Sequence, residues 1–145
     1  MRYVALSPLV LTAITICFGS VLAADSDQGH RAGFEACAKA CSDCQRSCDS
    51  CAFHCATLLS DGKKAHLTSL RTCQDCAAFC STAASVVSRQ GPFADIICKA
   101  CADACNRCGA ECEKFHDDPH MKACAEECRK CEKACRAMLD QASSK

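Results

Sequence analysis

The side chains in this sequence that can do chemistry are its cysteines, 19 in a chain of 145. Cys37, Cys41, Cys44, Cys48, Cys51 and Cys55 recur at steps of four, three, four, three and four. Side chains three and four residues apart share one face of an α-helix, so all six thiols lie on a single stripe. Leucine would normally hold that a/d seam. Shorter copies follow at Cys73, Cys76 and Cys80, at Cys98, Cys101, Cys105, Cys108 and Cys112, and at Cys124, Cys128, Cys131 and Cys135. Thiolate sulfur is a soft ligand that selects Cu(I), zinc or iron–sulfur clusters. A C-x-x-x-C pair on a helix sets its Cβ atoms roughly 5–6 Å apart and pointing the same way. A near-linear S–M–S bridge fits that gap, and Cu(I) accepts two or three such ligands. With bridging between facing helices, on the order of a dozen ions or more could be held.

Two other readings stay open on the residues alone. Zinc or cadmium would take four thiolates from several seams, as in a metallothionein. A disulfide-bonded structural bundle fits an exported, cysteine-rich chain, although disulfide scaffolds are rich in loops and thiols of one helix point along parallel vectors. The C-x-x-C pairs, such as Cys41/Cys44, resemble redox motifs. Here they are by-products of the seven-residue repeat, and no enzyme is expected. The formal net charge is zero, which implies no nucleic-acid footprint.

The elements that position these thiols follow from the breaks between them. Residues 1–23 read as a secretory signal: Arg2, an apolar run over about residues 4–18, then Val21, Leu22 and Ala23 as small or apolar residues before a cut. The run is too short for a membrane span, so residues 24–145 are expected as an exported, periplasmic domain free of the membrane after cleavage. Residues 25–33 read as a polar lead-in, with Asp25, Ser26 and Asp27 as candidate helix caps. Helices are expected up to about residue 59, over about 65–89, over about 92–116 and from Pro119 to about 140. Residues 60–64, Gly91-Pro92 and Asp117-Asp118-Pro119 are the breaks, with Gly91 as a helix stop and Asp118 as an N-cap. Four helices joined by short turns make an all-α, antiparallel up-down-up-down bundle with a cysteine-lined core.

Counting outward from the turns places Cys76 level with Cys48, Cys105 with Cys76 and Cys131 with Cys105. One end then collects His66, His116, His120 and Met121, a ligand-bearing mouth leading to Cys55, Cys112 and Cys124. The other end collects Phe34, Val87, Phe93 and Met138 and should be shut. His30 and His54 read as surface residues.

This pattern resembles the bacterial copper storage proteins, four-helix bundles whose cores are lined with cysteines. The resemblance spans essentially all of residues 24–145 and rests on the C-x-x-x-C and C-x-x-C steps quoted above. It implies Cu(I)–thiolate sites, homotetramers and a mouth bearing His or Met. A copper donor or acceptor protein is an expected partner of that mouth. Exported members carry a twin-arginine signal, whereas this chain has Arg2-Tyr3, which points to the general secretory route instead.

Overall fold

The structure, a computed structural model, describes residues 19–143, with side chains from 28 to 141. Most of the expected signal segment lies outside these residues. Four helices follow in order: α1 Gly19–Ser60, α2 Leu67–Ser88, α3 Ala94–Cys112 and α4 Pro119–Ser143. Single 3-10 turns, Lys64–His66 and Glu113–Phe115, sit before α2 and after α3. The helices pack antiparallel around one core, as the short connections require. No helix of the described residues is long and apolar enough to cross a membrane.

Helix α1 has 42 residues and is about 63 Å long at 1.5 Å per residue. It begins well before the expected start, so Asp25, Ser26 and Asp27 are interior helical residues rather than caps. Once the packed part of a helix is nucleated, extending it costs little, and the Ala-containing lead-in tolerates Gly29 and Gly33 at about 1 kcal/mol each. Gln141 of α4 lies against Gly33, where a Cβ would stand 2.4 Å from its Oε1. The turns of α1 before Gly33 therefore run on past the end of α4.

Two helix ends show how the turns are made. After α1, the Gly62 amide bonds to the Leu59 carbonyl (3.0 Å) and the Lys63 amide to that of Leu58 (3.0 Å). This is a Schellman motif with Gly62 in the left-handed region at φ 82. After α2 the same pair of bonds joins Gln90 to Val87 (2.9 Å) and Gly91 to Val86 (3.1 Å). Here the left-handed residue is Gln90, at φ 51, and not the expected stop Gly91. Gly91 is kept small for another reason: a Cβ there would sit 3.3 Å from both Val86 Cγ1 and the Val86 carbonyl oxygen. Left-handed backbone costs an L-residue roughly 1–2 kcal/mol, offset in part by the freedom a glycine adds to the unfolded chain. Gln90→Gly is expected to stabilise the chain by about 0.5–1 kcal/mol, read as a rise in the thermal unfolding midpoint of the metal-free protein.

The core is made almost wholly of sulfur and alanine. All eighteen described cysteines are buried, with Ala52, Ala77, Ala83, Ala94, Ala102 and Ala125, Val87, Met121 and Met138 beside them. A buried Leu or Phe contributes about 1.5–3 kcal/mol, and few such residues are present. Surface links supplement this core. Arg129 of α4 bonds both oxygens of Glu113 at 2.8 Å and the Asn106 carbonyl of α3 at 3.1 Å. Gly109 leaves room for it, since a Cβ there would meet the Arg129 guanidinium carbon at 3.1 Å.

Candidate metal centre

Each stripe turns inward because the bundle offers one dry interior, and the thiols of the four helices interleave there. Cys37 Sγ lies 3.8 Å from Cys98 and 3.8 Å from Cys135. Cys41 lies 3.6 Å from Cys135 and 3.7 Å from Cys131, and Cys101 3.9 Å from Cys131. In the middle, Cys105 stands 3.8 Å from Cys44, 3.8 Å from Cys76 and 3.6 Å from Cys80. Cys48 stands 3.7 Å from Cys128 and 3.9 Å from Cys124. Cys73 lies 3.8 Å from Cys112 and 3.7 Å from Cys108. At the near end, Cys51 and Cys55 approach the Met121 sulfur at 3.5 and 3.6 Å. The sulfurs form one continuous column, and all eighteen are free thiols.

The expected levels hold: Cys76 meets Cys105 directly, and Cys48 and Cys76 fall in one quartet with Cys44 and Cys128. The pairs expected within one helix are supplemented by contacts between helices. Close contacts within one helix join Cys44 to Cys48 (3.9 Å) and Cys101 to Cys105 (4.0 Å), whereas most sulfur contacts cross between helices. Facing seams interdigitate at a close-packed interface, which brings sulfurs of different helices nearer than the pitch of one helix does. The result is sets of four sulfurs within 4.8 Å of one another, among them Cys41, Cys101, Cys131 and Cys135, and Cys48, Cys108, Cys124 and Cys128. With metal–sulfur bonds of about 2.3 Å, a trigonal site spaces its sulfurs about 4.0 Å apart and a tetrahedral one about 3.8 Å. The thiols stand at those separations already.

Electrostatics keeps this column largely protonated while it is empty. Burial pushes the Cys55 thiol up. Bonds to Cys108, Cys124 and Cys128, with burial, push Cys48 up, and those to Cys101 and Cys131 push Cys105 and Cys135 up. Cys44 and Cys76, both bonded by Cys105, and Cys124, bonded by Cys108, are pulled down. A thiolate at one sulfur is held by the thiols around it, and those neighbours then keep their protons. No Lys or Arg is buried among the described residues to offset further charge.

The end at the first and third turns is only partly as expected. His66 is 8% exposed, its ring lies on Phe115 (centroids 4.2 Å apart), and its buried Nδ1 has no hydrogen-bond partner. Met121 is fully buried on the Cys51 and Cys55 sulfurs. His120 is exposed; its ring stacks on that of His54 at 4.6 Å and its Nε2 lies 3.4 Å from the Ser50 hydroxyl. His116 does not join them. Its side chain stands on the outer surface 3.4 Å from Asp117, because the 3-10 turn Glu113–Phe115 rotates it off the helical phase that its spacing from Cys112 implied. At the far end Val87 and Met138 are buried and Phe34 partly so, but Phe93 is 66% exposed and closes nothing.

His54, read from sequence as a surface residue, is half-buried, with Nε2 2.7 Å from Asp118 Oδ2. Asp118 Oδ1 accepts the amides of His120 (2.9 Å) and Met121 (3.3 Å) as the N-cap of α4. Partial burial raises this carboxyl, but the bonds from His54, Met121 and His120 outweigh it and hold it below the usual range. The signal in the sequence was the position of His54 beside the stripe, three residues after Cys51 and one before Cys55.

A helical bundle whose interior is a column of free thiols, dry and without buried cations, is a container for soft metal ions. The chain belongs to the copper storage protein family, whose sequence pattern matches residues 30–140. It is similar to the uncharacterized cysteine-rich protein YhjQ of Bacillus subtilis (strain 168), at 40% identity over 87 residues, covering 59% of this chain and 77% of that one. Its fold matches a cytosolic copper storage protein of Streptomyces lividans, solved during copper loading with five coppers, at TM-score 0.69 and 32% identity over 78% of this chain and 97% of that one. It also matches the Cu(I)-bound copper storage protein BsCsp3 at TM-score 0.68 and 37% identity, over 74% of this chain and 98% of that one.

Proposed function

We infer that this chain stores Cu(I), holding many ions on the thiolates of its eighteen core cysteines, and that it catalyses nothing. The observation that carries this is the charge of the interior. A Cu(I) ion that replaces one thiol proton leaves the core neutral. A Zn(II) ion on four thiolates leaves two negative charges, and no buried Lys or Arg stands near to offset them. Filled at one Cu(I) per thiolate, with sulfurs bridging, the column is neutral, whereas each separate four-thiolate zinc site adds two negative charges to a dry medium. The sulfur quartets nevertheless have tetrahedral spacing, and three of them share no cysteine, so the zinc or cadmium reading has a geometric basis for a few sites.

Copper bound by the related structures supports the choice. The ligands are Cys37, Cys41, Cys44, Cys48, Cys51, Cys55, Cys73, Cys76, Cys80, Cys98, Cys101, Cys105, Cys108, Cys112, Cys124, Cys128, Cys131 and Cys135, with Met121 and His66 at the mouth and His120 beside it. His116 contributes at most an outer encounter site. Export on the apolar leader and cleavage near Ala23 fit the composition of residues 1–23, and a homo-oligomer fits the exposed Phe53, Phe93 and Ile96. A copper donor or acceptor protein would meet the bundle at the His66 end.

The choice of metal is tested by offering the reduced protein equal amounts of Cu(I) and Zn(II), anaerobically, and weighing the intact complex. Species carrying many copper ions are expected. A distribution dominated by zinc would overturn the reading.

A further inference from the structure

Between α2 and α3, on the flank of the bundle, lies an open groove of about 540 Å³. It exists because α3 presents Ala100 and Ala104, one turn apart, where longer side chains would have closed the seam. Its wall includes Cys76, whose sulfur is 3.8 Å from Cys105 and belongs to two of the sulfur quartets. Cys76 is only 1% exposed, so the middle of the metal column lies just beneath the floor of this cleft, away from the His66 mouth.

The rim is charged on both walls. Asp103 is bonded by Lys99 and Glu111 by Lys114 and Ser69. Asp75 and Arg107, on opposite walls, make no ion pair or hydrogen bond. Phe79, 41% exposed, supplies an apolar surface beside them. A carboxylate on one wall and a guanidinium on the other complement a zwitterion, the guanidinium by a forked bond to its carboxylate.

We propose that this groove binds a small zwitterionic thiol of the cysteine class and passes Cu(I) between Cys76 and that thiol. Arg107 holds the carboxylate, Asp75 the ammonium group, and the sulfur is directed to the metal at Cys76. In the exchange the incoming sulfur bonds to copper as the Cys76–copper bond breaks, its proton passing to Cys76; a second thiol displaces the remaining core sulfur, such as Cys105, in the same way, and copper leaves on two small thiolates. Copper remains Cu(I) throughout, so no oxidant or reductant is needed.

The proposal rests on copper storage, and its test separates the two. Protein loaded with Cu(I) is mixed anaerobically with a chromophoric Cu(I) chelator, alone, with free cysteine, or with 2-mercaptoethanol at matched thiolate concentration. Cysteine is expected to speed transfer about tenfold over 2-mercaptoethanol, the worth of one added charge-assisted contact. Arg107→Gln, an exposed change, and Ala104→Leu, which fills the groove, should each remove that advantage while leaving capacity and the thiol-free rate unchanged. His66→Ala should slow the thiol-free rate and spare the cysteine-assisted one. Equal rates with the two thiols, or a full cysteine effect in Arg107→Gln, would overturn the groove while storage stands. A parent protein that takes up only one or two ions would overturn both.

Discussion

Saturating the reduced protein with Cu(I) is expected to raise its thermal unfolding midpoint by more than about 30 °C. The metal-free bundle buries sulfur and alanine where other domains bury leucine, so its own stability lies toward the low end of the usual 5–15 kcal/mol. A ligand that binds only the folded chain adds about 2.7 kcal/mol per site at a hundredfold excess over its dissociation constant. Even five filled sites add about as much as the whole stability of an ordinary domain. The sulfurs come from four helices, and unfolding cannot proceed while ions bridge them.

The pH dependence of this effect has a definite sign. Thiols pushed up in the folded state, such as Cys48, Cys55, Cys105 and Cys135, stabilise the empty bundle fully below the unfolded thiol pKa of about 8.5 and lose that contribution as pH rises above it. The metal-free midpoint should therefore fall above about pH 9. Loading has the opposite sign, since each ion displaces protons and binds more tightly as pH rises. The gap between loaded and empty midpoints should widen from pH 6 to pH 9. A gap that narrows would mean that protons are not displaced. Differential scanning calorimetry at three pH values reads both effects.

The second large effect is on capacity. Cys41 sits in the quartet with Cys101, Cys131 and Cys135, and Cys105 in that with Cys44, Cys76 and Cys80. Both are fully buried. The double variant Cys41→Ala, Cys105→Ala should bind about three fewer ions than the parent, because each sulfur is shared among neighbouring sites. Trading a sulfur for a small void costs about 1 kcal/mol per site, so helicity at room temperature should be retained. Unchanged capacity, measured by copper analysis after gel filtration, would show that these sulfurs do not hold metal.

The seams were legible because a thiol at every third and fourth position leaves no second helical face to bury, and the breaks at Gly62, Gly91 and Asp118 fixed where each helix turns back. Three things were not. The partners of each sulfur depend on how facing helices interdigitate, which spacing along one helix cannot show, and the contacts of Cys105 with Cys44, Cys76 and Cys80 are of that kind. The left-handed residue at the second turn is Gln90, set by its bond to Val87 and that of Gly91 to Val86, while Gly91 is held small by Val86 for its own reason. His54 and His116 exchanged their expected settings: an N-cap carboxylate drew one inward, and a 3-10 turn carried the other out.

The most direct measurement is an anaerobic titration of the reduced protein with Cu(I) against a competing chelator of known affinity. Binding that continues until on the order of a dozen ions are held per chain is the expected result. Saturation at one or two ions, or no competition with the chelator at all, would contradict a sulfur column built to hold copper in bulk.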